Sequence, residues 1–385
     1  MDFDFSDDQQ QLRDAVAKWV EKAYRFERRR EIERQGGFSR QAWDELAALG
    51  LAGLYIPEHA GGLGLGPIEG MLVMQELGRG IVLEPLAQSL IAGAVLAHHA
   101  DMQTDTQTDT QTDTQTQKSW LPRIASGHAL VVLAYQERNA RYRLAPCEAQ
   151  ARPQGQGWVL TGTKSLVPIG DQADAYLVPA QTNGSGTMAL FLVERAARGV
   201  TSRAYGTQDG SRAAEVFFDQ AAATLIAADG LPVLEHAVDI GIAATCAEAV
   251  GTLDQTMAVT AQYMNTRKQF GVTIATFQAL RHRMAEMKMQ LELARSMSYY
   301  ASLKLNAPAA ERRQALARAK YQLGVSMRFI GQNAVQLHGG IGMTDEYIIS
   351  HYFRRLTQLE MTFGDTFHHL GAVSAQMQDT AGVFA

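Results

Sequence analysis

Ala175-Tyr-Leu-Val178 and Ala189-Leu-Phe-Leu-Val193 are short runs of aliphatic, aromatic and β-branched residues, separated by glycine- and asparagine-containing segments. Runs of this length with turn residues at both ends predict β-strands. Three neighbouring runs have the same character: Ala129-Leu-Val-Val-Leu-Ala134, Trp158-Val-Leu160 and Glu215-Val-Phe-Phe218. Their spacing is typical of an antiparallel barrel or sandwich. We therefore predict a small β domain over residues 128–225.

The segments on both sides of this domain have helical periodicity. Ser6 and Gln9 fit a capping box at the start of a first helix. After the β domain, apolar residues recur at alternating steps of three and four, which predicts one buried helix face: Phe277, Leu280, Met284, Met287, Leu291 and Ala294. The predicted fold is α+β and mostly α, with an N-terminal helical domain at 1–127 and a C-terminal four-helix bundle at 230–385.

One segment of the N-terminal domain has unusually low complexity. Residues 103–117 contain only glutamine, threonine and aspartate. Such a segment cannot bury apolar surface, and threonine and aspartate are poor helix formers. We predict a disordered surface loop.

Composition excludes several classes of protein. The net charge of −5 does not favour a nucleic-acid partner, and no apolar run approaches the roughly 18–20 residues that span a bilayer. The two cysteines, Cys147 and Cys246, form no CxxC pair or His/Cys cluster, so no metal site is predicted. They are expected to be buried thiols, and the predicted location is the cytoplasm.

Three strings resemble the acyl-CoA dehydrogenase family in the order that this family has them. The first is Leu49-Gly-Leu-Ala-Gly-Leu-Tyr-Ile-Pro-Glu58 with the glycine-rich Gly61-Gly-Leu-Gly64 after it. The second is Thr266-Arg-Lys-Gln-Phe-Gly271, and the third is Ala334-Val-Gln-Leu-His-Gly-Gly-Ile-Gly342. Together with the order of helical, β and helical domains, they make the resemblance extend over essentially the whole chain.

A smaller group within the family is also similar. The strings Met1-Asp-Phe-Asp-Phe-Ser6, Thr207-Gln-Asp-Gly210 and His351-Tyr-Phe-Arg-Arg-Leu356 resemble the small subunit of pimeloyl-CoA dehydrogenase. This resemblance implies a dicarboxylyl-CoA as one possible substrate.

The family resemblance implies an FAD enzyme that oxidises an acyl-CoA thioester to the trans-2-enoyl-CoA. Such an enzyme needs a carboxylate base in a water-free pocket and passes its electrons to an external acceptor. The resemblance places this carboxylate at Phe363, or in some relatives directly after the arginine that corresponds to Arg267, at Lys268. Neither residue is acidic here. The nearest acid is Asp365, which is a candidate base or, alternatively, a helix cap.

Residues that match FAD contacts of the family fall into two groups. One group reaches the FAD of a neighbouring subunit, and we name it the Arg267 group: Arg267, Gln269, Phe270, Gln278, Gln336, Gly339 and Gly340. In this group the arginine is expected at the pyrophosphate and the phenylalanine beside the adenosine.

The other group holds the flavin ring of the chain's own β domain. Where relatives have tryptophan, a β-branched residue and threonine or serine, this chain has Leu166-Val167-Pro168. Proline lacks both the N–H and the hydroxyl that could contact the flavin. Relatives also have a threonine–glutamate–proline segment followed by a glycine–serine–aspartate loop, where this chain has Tyr135-Gln-Glu-Arg-Asn-Ala-Arg-Tyr142.

Three functions remain open from the sequence. The chain is a subunit of a heteromer with a larger homologous acyl-CoA dehydrogenase, to whose FAD it donates the Arg267 group. Alternatively, it is a self-sufficient dehydrogenase that forms a homodimer or homotetramer and uses Asp365. The third possibility is an acyl-CoA-binding scaffold that has lost its flavin.

Overall fold

The computed structural model describes residues 4–102, 114–155, 157–182 and 187–380. Helical N-terminal and C-terminal parts flank a central β region, as predicted. The chain divides into two compact units. Unit 1 contains Met1–Glu31, Pro67–Val82 and Ile242–Ala385, and unit 2 contains Ile32–Gly66 and Leu83–Gly241.

The N-terminal part consists of six α-helices and two short 3₁₀ helices within the described residues. The α-helices are α1 Asp7–Ala23, α2 Phe26–Arg34, α3 Arg40–Ala48, α4 Pro67–Arg79, α5 Leu86–Met102 and α6 Thr114–Ala125. The 3₁₀ helices are Leu51–Gly53 and Glu58–Ala60. The predicted capping box is confirmed, since the Gln9 N–H donates to Ser6 Oγ at 3.2 Å and the Ser6 N–H donates to Gln9 Oε1 at 3.0 Å.

The threonine-rich repeat falls between α5 and α6. Residues 103–113 of the repeat lie outside the described residues, so the disorder predicted for them stays a prediction. Its last four residues, 114–117, are helical because α6 begins at Thr114. Here the helix that continues to Ala125 extends into the repeat despite its low helix propensity.

The central part is a seven-stranded sheet. Its strands are β1 Val131–Leu133, β2 Gln150–Gln154, β3 Gly157–Pro168, β4 Ala175–Thr182, β5 Met188–Glu194, β6 Val200–Gly206 and β7 Arg212–Ala227. The hydrogen-bonded path β4-β2-β3-β7-β5 closes on itself because β5 also pairs with β4, as in a barrel. The five predicted strands are present, while β2 and β6 were not predicted.

The sheet departs from the expected all-antiparallel arrangement at β4. Both β1 and β2 run parallel to β4, whereas the other described pairs in the sheet are antiparallel. Parallel pairing requires longer connections between strands than a hairpin. Residues 134–174 connect β1 to β4, and residues 155–174 connect β2 to β4, so both connections have that length.

The C-terminal part has five described α-helices rather than the four expected of the bundle. These are α7 Gly230–Thr266, α8 Gln278–Lys304, α9 Ala309–His338, α10 Ile348–Met361 and α11 Thr366–Thr380. A short hairpin, β8 Lys268–Gln269 and β9 Val272–Thr273, and the 3₁₀ helix Ile274–Thr276 join α7 to α8. A second 3₁₀ helix, Gly339–Met343, joins α9 to α10, and α9 packs against α8, α10 and α11.

The predicted buried face of α8 is correct only in its second half. Met287, Leu291 and Ala294 are buried, whereas Phe277 is 36 % exposed. Leu280 and Met284 are half-buried. The periodicity continues through the first turns of α8, but these turns lie at the surface of unit 1, near the hairpin.

Both cysteines are buried with free thiols, as predicted. Among the helices in the described ranges, none combines the length and apolar character needed to cross a membrane. The same residues contain no group of three histidine, cysteine, aspartate or glutamate side chains arranged to hold a metal ion.

A buried ion pair fixes the segment after β1 to strand β3 in unit 2. The Lys164 ammonium donates to Glu137 Oε1 at 2.6 Å, and both side chains are almost inaccessible to solvent. The Glu137 carboxylate also accepts the N–H groups of Glu148 and Ala149. Burial alone would raise the pKa of Glu137, but Lys164 and these N–H donors outweigh it and hold the pKa below its ordinary value.

We expect Lys164→Met to lower the free energy of unfolding by about 3–5 kcal/mol, because it leaves the Glu137 carboxylate buried without its cation. The double variant Glu137→Gln/Lys164→Met removes both charges and should recover part of that loss. Urea denaturation of the three proteins measures the difference. A double variant as unstable as the sum of the two single variants would mean that the pair is not coupled.

Candidate functional site

The Arg267 group is assembled where the end of α7 meets the end of α9, within unit 1. The ring of Tyr263 in α7 stacks on the ring of His338 in α9, with centroids 4.4 Å apart, and the Tyr263 hydroxyl donates to the His338 carbonyl at 3.2 Å. Arg267 lies one helical turn beyond Tyr263, and Gly339 follows His338 directly. The second and third of the three strings that carry the family resemblance therefore adjoin in space.

All seven residues of the Arg267 group are exposed. Arg267 directly follows α7, Gln269 and Phe270 belong to the hairpin, Gln278 begins α8, Gln336 lies in the last turn of α9, and the two glycines begin the 3₁₀ helix Gly339–Met343. The Arg267 side chain makes no hydrogen bond or ion pair to any residue in the described ranges. In contrast, its backbone N–H and its backbone carbonyl are both hydrogen-bonded. Its N–H donates to the Tyr263 carbonyl at 2.8 Å, and its carbonyl accepts from the Ile274 N–H at 2.9 Å. The guanidinium is thus presented to the surface from a fixed backbone.

Phe270 is the most unusual member of the group. It forms the β8–β9 turn with Gly271, and both residues have positive φ, +52° and +82°. Such a two-residue turn favours asparagine or glycine at its first position, because a bulky side chain in this conformation is strained by about 1 kcal/mol or more. Phe270 is nevertheless 91 % exposed, and its ring makes an edge contact with Phe277 at 6.1 Å between centroids. Neither the strained turn nor the exposed ring therefore adds much to the stability of unit 1.

Gly340 is a second residue whose type is not explained by the packing of unit 1. Gly339 has φ +64°, which explains its glycine, but Gly340 has no such conformation and a Cβ built on it would meet no atom within 4 Å. Among the described residues, neither packing nor backbone conformation requires a glycine at position 340. Close approach of another molecule to the backbone is a physical reason for glycine at such a position.

The β-domain segment that would face a flavin has different properties. Leu166 lies at a bulge of β3 with φ +51°, and its N–H donates to the Tyr205 hydroxyl at 3.2 Å. The Ser165 N–H donates to the Gln136 carbonyl at 2.8 Å, and Pro168 has no N–H. The N–H groups of Ser165 and Leu166 are thus already hydrogen-bonded within unit 2.

The side chains beside this segment are also bound to one another. Ser165 Oγ donates to the buried Glu215 carboxylate at 3.3 Å, and the Arg138 guanidinium lies 3.4 Å from the same carboxylate. Arg138 belongs to the segment that replaces the threonine–glutamate–proline motif of relatives. Because these groups satisfy each other, the residues of this edge do not fit the contacts that the resemblance implies for an isoalloxazine ring.

The turn between α10 and α11 contains Phe363, the expected position of the base. Phe363 is 8 % exposed and has φ +58°. Its side chain supplies no carboxylate. Lys268, the other expected position, is exposed in β8 and is likewise not an acid.

Asp365 has a clear role as a helix cap. Its carboxylate oxygen Oδ1 accepts the N–H of His368 at 2.8 Å, which is the geometry of an N-cap residue at the start of α11. This is the alternative that the sequence left open beside its role as a base. The proposal that Asp365 is the base stays a prediction.

Buried polar groups hold this turn rigidly. The Lys320 ammonium donates to the carbonyls of Leu359, Glu360 and Gly364 at 2.9, 2.9 and 3.0 Å. An ammonium has three donors, so the three carbonyls match them all. Burial nevertheless lowers the pKa of Lys320 to about 8, although negative groups around it act in the opposite direction.

The side chains of Glu360 and His369 also make hydrogen bonds that hold the turn between α10 and α11. The Glu360 carboxylate accepts the N–H of Thr366 at 2.9 Å and lies 3.2 Å from the Arg328 guanidinium. His369 Nε2 lies 3.0 Å from the Phe363 carbonyl and therefore donates to it. Burial, followed by the nearby Lys320, lowers the pKa of His369 to about 3, so its ring is neutral.

Tyr205 and Lys320 were not identified from the sequence. Lysine and tyrosine are common surface residues, and nothing in their local patterns distinguishes these two. Their partners are 39 or more residues away along the chain. Only Lys320 had a weak signal, because it lies within a helical run of small and apolar residues.

Two family models match the chain. The N-terminal domain of acyl-CoA dehydrogenase matches residues 6–128, and the C-terminal domain matches residues 228–378. Acyl-CoA dehydrogenase FadE12 of Mycobacterium bovis is 30 % identical over 360 residues, covering 89 % of this chain and 88 % of the relative. The chain belongs to the acyl-CoA dehydrogenase family, whose members are FAD-dependent oxidoreductases that act on acyl-CoA.

Two solved structures are similar over the full length. One is the ChsE4–ChsE5 complex from Mycobacterium tuberculosis, with a TM-score of 0.86, 26 % identity and coverage of 99 % of this chain and 100 % of the other. The other is a glutaryl-CoA dehydrogenase from Mycobacterium smegmatis in complex with FADH₂, with a TM-score of 0.86 and coverage of 99 % and 97 %. Its identity is 19 %, so this likeness concerns the fold alone.

We expect the stability of the protein to depend on Lys320 in a defined pH interval. Its pKa is about 8 in the folded chain and about 10.5 when solvated, so between these values the unfolded chain binds more protons than the folded one. Stability should therefore rise with pH from 8 to 10.5, by up to about 1.4 kcal/mol per pH unit from this group. Lys320→Met should lack this contribution.

Urea denaturation across this pH interval measures the free energy of unfolding. Lys18→Met is the control, because the Lys18 side chain is exposed on α1. If wild type and Lys320→Met show the same slope with pH, the folded Lys320 does not have a lowered pKa.

Proposed function

We propose that this chain is a subunit of a heteromeric acyl-CoA dehydrogenase that donates the Arg267 group to the FAD of a larger homologous subunit. Its own β domain would not hold a flavin. The exposed, strained Phe270 beside the unpaired Arg267 is the observation that carries this proposal.

The Arg267 group has the chemistry that a flavin dinucleotide requires. A guanidinium binds a pyrophosphate through charge-assisted hydrogen bonds, which are stronger than neutral ones. Phe270 would give its ring an apolar contact with the adenosine half, and Gly340 would let the backbone approach the ligand. Gln278 and Gln336 would supply amide donors and acceptors. Gln269 would supply its side-chain carbonyl, since its amide donates to the Lys268 carbonyl at 2.8 Å.

The β-domain edge supports the same division of roles. A flavin ring there would need N–H donors that Leu166 and Ser165 already use within unit 2, and a donor that Pro168 lacks. FAD, when bound, accepts the hydride in this family's chemistry. We infer that the homologous subunit supplies the β domain that holds the isoalloxazine ring.

The carboxylate base would also come from the homologous subunit. Phe363 and Lys268 replace it at both expected positions, and Asp365 is engaged as the cap of α11. This chain would still contribute a rigid turn at 360–366, held by Lys320, and residues that keep water away from it.

The partner and the substrate are inferred from similarity. The ChsE4–ChsE5 structure is a complex of two named proteins, which favours a heteromer over a homodimer or homotetramer for a chain of this fold. The resemblance to the small subunit of pimeloyl-CoA dehydrogenase favours a dicarboxylyl-CoA thioester as substrate. An external electron acceptor would reoxidise the flavin.

The test is Arg267→Ala in the complex obtained by co-expression with the larger homologous subunit. Loss of charge-assisted hydrogen bonds of about 1.5–3 kcal/mol should weaken FAD binding by about 10- to 150-fold. Fluorescence titration of the apo complex with FAD measures the dissociation constant, and dialysis followed by absorbance measures retained flavin.

Arg152→Ala is a matched control, because Arg152 is an exposed arginine on β2, outside both groups of FAD contacts. It should bind FAD as wild type does. Equal FAD affinity of the two variants would contradict the proposed role of Arg267.

A further inference from the structure

His338 is a buried histidine at the end of α9 that the proposed FAD contacts do not use. The residue is 3 % exposed. The rings of Tyr263 in α7 and of Tyr347, directly before α10, lie beside it, with centroids 4.4 Å and 5.4 Å from that of the imidazole. The two tyrosine rings are 6.4 Å apart, so the three rings form one aromatic cluster within unit 1.

A hydrogen bond of His338 determines which ring nitrogen carries the hydrogen. Nδ1 lies 2.8 Å from the Ala334 carbonyl oxygen. A carbonyl oxygen can only accept, so Nδ1 carries the hydrogen and Nε2 has the lone pair. Nε2 is therefore the atom that takes up a second proton when the ring becomes charged.

Nε2 lies in surroundings that offer this proton nothing to bind. The atom is buried and has no hydrogen-bond partner among the described residues. The titratable side chains beside the ring are Tyr263 and Tyr347, and both are uncharged near neutral pH. Burial lowers the pKa of His338 from its ordinary value of 6.5, the bond to Ala334 acts in the opposite direction, and no charged group in the described ranges contributes.

A protonated His338 ring is therefore unfavourable inside the cluster. It would bury both a positive charge and an N–H donor that lacks an acceptor. This cost exceeds the attraction between a cation and an aromatic ring, so the Tyr263 ring offsets only part of it. The remaining cost is relieved when the imidazolium leaves the cluster and is solvated by water.

Opening of the cluster would loosen both helix ends from which the Arg267 group starts. The Arg267 N–H donates to the Tyr263 carbonyl at 2.8 Å, so the Arg267 backbone depends on the position of Tyr263. The Tyr263 hydroxyl donates to the His338 carbonyl at 3.2 Å, and Gly339 follows His338 directly. A displacement of His338 therefore reaches Arg267 and Gly339 through bonds of the cluster itself.

We propose that His338 is an acid-sensitive switch whose protonation opens the aromatic cluster and releases FAD from the Arg267 group. This inference rests on the proposed function, in which the Arg267 group binds the FAD of the homologous subunit. FAD affinity should be constant above about pH 6.5. It should fall by up to about tenfold for each pH unit below the pKa that His338 has in the complex.

The test compares wild type with His338→Phe, which keeps an aromatic ring beside Tyr263 but cannot take up a proton. Fluorescence titration of the apo complex with FAD, from about pH 7.5 to about pH 5, measures the dissociation constant. Hydrogen–deuterium exchange of residues 263–273 and 336–343 in the chain alone measures opening of the cluster. Both proteins are compared at the same pH, so the intrinsic exchange rate cancels. If His338→Phe is not folded by circular dichroism, His338→Gln replaces it, since glutamine is also uncharged.

His128→Phe is the matched control, because His128 is an exposed histidine between α6 and β1 in unit 2. Support for the proposal requires two changes on acidification, weaker FAD binding and faster exchange, in wild type and in the control but not in His338→Phe. Equal pH profiles of wild type and His338→Phe overturn it. Weaker FAD binding without faster exchange also overturns it, because the cluster would then stay closed.

The two measurements separate this inference from the proposed function. If wild type binds FAD in the complex and its cluster stays closed at every pH, only the switch is wrong. If exchange shows that the cluster opens in acid, but the complex binds FAD with the same affinity with and without Arg267→Ala, the proposed function is wrong.

Discussion

The contact between Tyr263 and His338 is the interaction on which the candidate site depends. It joins the ends of two long helices by a ring stack and a hydrogen bond to a carbonyl. Burial lowers the pKa of His338, which favours the neutral form of the stacked ring. Because the junction fixes both helix ends, it also fixes the starting points of the exposed residues that follow them, Arg267 after α7 and Gly339 and Gly340 after α9.

The two units use their polar groups in opposite ways. In unit 2, the edge around Leu166 binds its own donors through Tyr205, Gln136 and Glu215, and the Glu137–Lys164 pair keeps the nearby backbone in place. In unit 1, the Arg267 residue and the Phe270 ring are exposed. A subunit that needs a second chain to complete its cofactor site would have this combination of properties. An isolated enzyme with one complete site per chain would not need it.

Much of the fold could be predicted from the sequence because it depends on local patterns. The capping box at Ser6, the five apolar strands and the helical parts follow from composition and periodicity over short distances. Strand β2 was missed because it is short and polar and contains Pro153. Strand β6 was missed because none of its residues is fully buried, so it lacks a clear apolar run.

The site was predictable only in part, and the reason is again physical. Family strings placed the Arg267 group, but strain at Phe270 and the absence of any packing requirement at Gly340 are properties of three-dimensional structure. The burial of Lys164 and Lys320 could not be predicted, since lysine is almost never buried without partners and these partners are distant in sequence. The periodicity of α8 predicts one buried face from Phe277 to Ala294, yet only the structure shows that the first turns of this face are not covered.

The ratio of flavin to protein tests the central claim most directly. Absorbance in the flavin's visible bands is measured for the purified chain with added FAD, and for the complex with the larger homologous subunit. The account predicts a colourless chain that stays free of flavin and a complex with one FAD for each pair of subunits. A stoichiometric flavin spectrum from the chain alone would contradict it, because the β domain would then hold a flavin of its own.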